Sequence, residues 1–153
     1  MRLTSSDFSD EGRIPQVCTC DGDDASPALA WSDAPPATRS FVLLCNDPDA
    51  PDGVWRHWAA YDIPHAWSHL ARGAGHAAGR EHLKQAVNDF GRTGYGGPCP
   101  PRGHGSHHYR FMLLALSVDK LAVRNGANCR DVEREARKYV IAETTLVGLY
   151  ERQ

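Results

Sequence analysis

The chain has 153 residues, 41% hydrophobic and 24% charged, which is enough for one domain, residues 1–153, to form a core without a metal or disulfide scaffold. Its 17 Lys and Arg stand against 19 Asp and Glu, so there is no net field to hold a nucleic acid or an anionic membrane. No stretch approaches the roughly 18 apolar residues of a spanning helix, and the opening MRLTSSDFSDEGRIP lacks an apolar signal core; together these predict a cytoplasmic chain without stable membrane insertion.

Prolines and glycines break the first two thirds of the chain into short apolar runs, which predicts strands and loops rather than long helices. Cys18 and Cys20 read as small side chains on one face of a strand. With Cys45, Cys99 and Cys129 they make an odd, scattered set, which predicts free thiols. Ser40 to Cys45 (SFVLLC) is a continuous apolar run, as expected of a strand buried on both faces. The following NDPDAPDGVWRHW places Asp47 and Asp49 in a proline-stiffened turn, and His57 to Ile63 (HWAAYDI) reads as the next strand. Alternation along that strand sends His57 and Trp58 to opposite faces. Residues 70–84 (LARGAGHAAGREHLK) carry no clear period and read as a loop, with or without one helical turn.

Between Gly91 and Gly105 the chain is rich in glycine and proline (GRTGYGGPCPPRGHG), a composition that can present backbone N–H groups as a nest for an anion. No Gly-Lys-Ser/Thr follows, and a strand rather than a helix comes next, so neither a nucleotide loop nor a dinucleotide fingerprint is present and no cofactor is expected. Tyr109 to Val118 (YRFMLLALSV) is a second apolar strand. His107 and Tyr109 share one of its faces and His108 takes the other, so an imidazole and a phenol point the same way as donors for an oxyanion. Near the end, Asn128 caps a helix read over DVEREARKYVIAE, with Val132, Ala136, Tyr139 and Val140 on its inner face. Leu146 to Tyr150 (LVGLY) closes the chain as a short strand.

The segments DPDAP, HW, NDFGRTGYGGPCPP, GHG and HHY, with SPALAW and the closing LVGLY, resemble the phosphatidylethanolamine-binding protein family, the Raf kinase inhibitor-like proteins, in its bacterial branch. The resemblance runs nearly end to end. It implies a mainly β fold, an antiparallel Greek-key β-sandwich with a C-terminal α-helix, and a pocket for phosphate, phosphoethanolamine or another small anion. It puts the pocket on Asp47, His57, His107 and Tyr109, with Pro100, Gly96 and Gly97 at the rim. It further implies a homodimer and regulation of kinases or other signalling partners. The family usually has Arg where this chain has His108.

A carboxylate beside an anion needs a reason, and two are open: Asp47 orients His57 by accepting its second N–H, or it accepts a hydrogen bond from the ligand. Three rival readings use the same residues. In one, Cys99 is a nucleophile with His57 or His107 as base and Asp47 as orienter, a hydrolase. In another, Cys99, His104, His107 and His108 hold zinc, although neighbouring histidines on a strand diverge. In the last, the chain is a protein-interaction module.

Overall fold

The computed structural model describes residues 1–76 and 83–153. In chain order the elements are β1 (Arg2–Thr4), β2 (Gly12–Arg13), a 3-10 turn (Gln16–Cys18), β3 (Leu29–Ser32), β4 (Ser40–Asp47), β5 (Trp55–Pro64), β6 (His69–Leu70), β7 (Lys84–Gln85), β8 (His107–Leu116), α1 (Cys129–Ala136) and β9 (Val140–Tyr150). They form a three-stranded sheet, β1-β3-β6, and a six-stranded sheet, β2-β9-β8-β4-β5-β7. Pairing is antiparallel throughout except for β2 with β9. The expected fold class is the observed one: mainly β, two facing sheets and one helix. Among the described residues no helix is long and apolar enough to cross a membrane.

Strand β4 is buried along its whole length, and its alternating side chains feed two cores. Phe41, Leu43 and Cys45 point between the sheets, where they meet Leu3, Trp31 and Leu70 of the smaller sheet. Val42 and Leu44 point the other way, onto Val132 and Ala136 of α1. The apolar run of the sequence is explained by this double covering, and each fully buried Leu or Val contributes roughly 1.5–3 kcal/mol. The helix starts as expected, with the Asn128 side chain accepting the Asp131 N–H at 2.8 Å.

Four sequence readings need correction. The helix ends at Ala136, and Val140–Tyr150 is one long strand instead of a helical tail and a short strand. A β-branched stretch, Val140, Ile141, Thr144, Thr145 and Val147, pairs along nearly all of β8, and that ladder outweighs the helical spacing of Tyr139 and Val140. Cys18 ends the 3-10 turn rather than sitting on a strand. Cys20 and Cys99 are joined as a disulfide 79 residues apart in sequence, so the expectation of free thiols holds only for the buried Cys18, Cys45 and Cys129. Within residues 70–84, Leu70 closes β6 and Lys84 opens β7, while 77–82 lie outside the described residues.

Candidate functional site

Strand β4 lies between β5 and β8 and runs antiparallel to both, so its C-terminal end meets the start of each neighbour. This topology brings Asp47, the last residue of β4, His57 of β5, and His107 and Tyr109 of β8 to one end of the sheet. All four are buried. His107 and Tyr109 share a face, as alternation requires.

His57 reaches the same side by a different device. Cys45 pairs with Trp58 and Asn46 with Arg56, so His57 has no partner across the ladder and forms a β-bulge. The extra residue breaks strict alternation. Instead of facing away from Trp58, His57 is buried against Tyr109 while Trp58 packs on Tyr95, with ring centroids 5.2 Å and 5.6 Å apart.

Each imidazole has a separate anchor. The His107 Nδ1–H donates to Asp47 Oδ2 at 2.6 Å, and the other Asp47 oxygen accepts the Asp49 N–H at 2.8 Å. Asp47 therefore orients His107 and not His57. His57 uses its Nδ1–H on the Gly96 carbonyl at 2.6 Å, which leaves Nε2 as a bare acceptor. Burial, which penalises the imidazolium, holds the His57 pKa below its ordinary value, although the Gly96 carbonyl and Asp47 pull the other way.

The Tyr109 ring lies between the two imidazoles, edge-on to His57 and stacked at 6.3 Å on His107. Its side chain is fully buried, yet the hydroxyl has no hydrogen-bond partner among the described residues. Leaving such a group unpaired costs about 1–3 kcal/mol. Burial, reinforced by Asp47, pushes the phenol pKa well up, so the group is a firm donor at neutral pH.

The Gly/Pro loop contributes differently from the expected amide nest. The Gly96 N–H donates to the His57 carbonyl at 3.0 Å and the Gly97 N–H to Asp24 Oδ1 at 2.8 Å, so neither amide is left for an anion. These glycines are needed for close approach. A Cβ would come within 2.5 Å of the Phe90 ring at Gly96 and 2.4 Å of the Cys18 carbonyl at Gly97. Pro100 is buried beside Cys99. Cys99 is tied to Cys20, and His108 turns to Asp49 with Nδ1 at 2.7 Å from Oδ2, so the four residues of the zinc reading do not converge.

Two contributors escaped the pocket reading. Phe90 packs edge-on against His57 with ring centroids 5.3 Å apart; a loop phenylalanine carries no periodic signal that would have marked it. His104, weighed above only as a zinc ligand, places its Nδ1 2.6 Å from His107 Nε2.

Residues 4–151 match the family described as phosphatidylethanolamine-binding protein. The chain belongs to that family. A UPF0098 protein of Aquifex aeolicus is 47% identical over 152 residues, spanning 99% of this chain and 89% of the relative. The UPF0098 protein YbhB of Escherichia coli is 35% identical over 158 residues, covering 98% and 99%. Among solved structures, E. coli YbcL, described as a new member of the mammalian family, superposes with a TM-score of 0.95 at 32% identity, over 99% of this chain and 98% of that one. The Chlamydia trachomatis homologue CT736 gives 0.87 at 36% identity, over 99% and 97%. These bacterial relatives bear out the resemblance read from DPDAP, GYGGPCPP and HHY, and with it the fold.

Proposed function

We propose that this family member binds a small oxyanion, a phosphate or a phosphorylated head group, in the pocket formed by Asp47, His57, His107 and Tyr109. The observation that carries the reading is the Tyr109 hydroxyl, buried without a partner between two imidazoles. An anionic oxygen would accept its O–H and relieve the cost of leaving it unpaired. His57, held neutral by burial, offers Nε2 as an acceptor, which suits the acidic hydroxyl of a phosphate monoanion. The charge of Asp47 is partly offset, because both its oxygens already accept N–H groups and one of these bonds turns His107 toward the ligand.

Catalysis by Cys99 finds no support while its sulfur is bonded to Cys20. The remaining thiols are poor nucleophiles, since burial pushes Cys18 up to about 11 and Cys129 up to about 12, and raises Cys45 as well. The test is calorimetric titration of phosphate and phosphoethanolamine into the wild type and His107→Ala at pH 6. Heat that the substitution abolishes supports the pocket, and the two ligands then rank its preference. Binding should also weaken as pH rises from 6 to 8, as the phosphate loses the hydroxyl proton that His57 Nε2 is placed to accept. Equal affinity across that range would sink the proton-dependent reading.

A further inference from the structure

Building on that pocket, we infer that His104 is an internal competitor for the ligand: its imidazole occupies the one nitrogen of His107 that Asp47 leaves open, and an oxyanion reaching that nitrogen must displace it. His107 is 2% exposed and held by β8, with Nδ1 committed to Asp47. Its other nitrogen, Nε2, is therefore its one remaining contact point for a ligand. That nitrogen lies 2.6 Å from Nδ1 of His104, an exposed residue of the loop before β8. The bond joins a fixed partner to one that can leave. His104 sits between Gly103 and Gly105, whose φ values of 72° and 82° and open surroundings leave room for the loop to carry it away.

Proton placement decides which ring donates. With His107 neutral and its proton on Nδ1, Nε2 is a lone pair that accepts the His104 Nδ1–H. An oxyanion needs the reverse, a hydrogen on Nε2. That hydrogen would itself be taken by a bare His104 Nδ1, so the ring competes with the oxyanion for His107 in either direction of the bond. The other ionisable groups around the pair are Asp47 on β4, the Asp49–His108 pair, and Tyr109 with His57 behind it.

The experiment titrates inorganic phosphate into the wild type, His104→Ala and His107→Ala at pH 8, where all three proteins meet the same phosphate ionisation. His104→Ala should bind about fivefold more tightly than the wild type at pH 8, the effect of losing one competing hydrogen bond. Unchanged or weaker binding by His104→Ala at pH 8 overturns the inference. A second measurement needs no variant: saturating phosphate should remove the proton signal shared by the two rings, and its persistence in the bound protein also counts against displacement. If His107→Ala binds phosphate as the wild type does, the pocket itself is wrong. If it loses binding while His104→Ala is indifferent, the pocket stands and the competitor does not.

Discussion

The two imidazoles of the proposed pocket flank one Tyr109 ring, but the walls that hold them differ in kind. On the β5 side, His57 is fixed by a peptide carbonyl and packed by Phe90 and Tyr109, with burial keeping it neutral. On the β8 side, His107 is fixed by a carboxylate and meets a second imidazole. Same residue, different second contact: a carbonyl fixes which nitrogen carries the hydrogen, while a carboxylate also stabilises an added charge. One wall therefore offers a ligand a bare imidazole nitrogen, while the other offers a nitrogen already engaged by a second imidazole. A single loop serves both, since Gly96 anchors His57 and His104 meets His107.

The largest effect should come from opening the Cys20–Cys99 disulfide, which fastens that loop. Both cysteines are solvent-exposed, and the bridge closes a separation of 79 residues. Chain entropy alone assigns such a link on the order of 4.5 kcal/mol, an upper figure because residual structure in the unfolded chain already restrains it. Urea unfolding of the Cys20→Ser/Cys99→Ser variant should show a lower midpoint. Imidazole resonances should divide the walls, with His57 moving more than His107, because His107 keeps Asp47 and His57 has its anchor on the loop. Equal movement of both rings would erase the distinction between the walls.

Asp47→Asn addresses the β8 wall alone. The amide keeps one acceptor but loses the charge, so His107 and the Asp49 N–H no longer share a carboxylate. A stability loss of about 2 kcal/mol is expected, the scale of hydrogen bonds to charged groups. The His57 resonances should stay in place. A shift of His57 as large as that of His107 would mean that Asp47 serves both rings.

The β5 wall should show itself in acid. His57 has its pKa lowered by burial, so between that value and the ordinary imidazole pKa of about 6.5 the unfolded chain takes up a proton that the folded one refuses. The stability tied to neutral His57 is complete above about pH 6.5 and is lost as pH falls toward the folded pKa. Each unit of lowering corresponds to about 1.4 kcal/mol. Unfolding midpoints between pH 7.5 and 5 should fall less steeply in His57→Gln than in the wild type. Parallel curves would show that His57 is not the group refusing the proton.

Much of this arrangement was legible in the sequence, and the illegible parts share a cause. Asp47, His107 and Tyr109 could be placed because a strand end and a period of two are local properties, and the DPDAP and HHY resemblance pointed to the same positions. The burial of β4 on both faces followed from SFVLLC in the same way. The bulge at His57 was hidden, because two residues opposing one depends on the partner strand. The choice between His107 and His57 as the partner of Asp47 was hidden too, because both imidazoles reach the same end of the sheet. Cys20 and Cys99 gave no sign of each other across 79 residues of separation. The role of Gly96 and Gly97 was also obscured, since open backbone and tight packing call for the same residue.

Tyr109→Phe should cause no loss of stability, and it bears on both walls at once. The hydroxyl has no partner among the described residues to lose, so removing it should leave the unfolding free energy unchanged or raise it, by up to the roughly 1–3 kcal/mol that an unpaired buried group costs. The ring stays, and with it the packing that keeps His57 and His107 apart. Phosphate affinity should nevertheless fall by about tenfold, as expected for the loss of one hydrogen bond to a charged ligand. A ring kept for packing alone would leave affinity and stability both unmoved. A hydroxyl with a structural partner would lower stability and leave the affinity alone. Only a hydroxyl reserved for a ligand separates the two measurements in the expected direction, because the ligand then supplies the partner that the described residues do not.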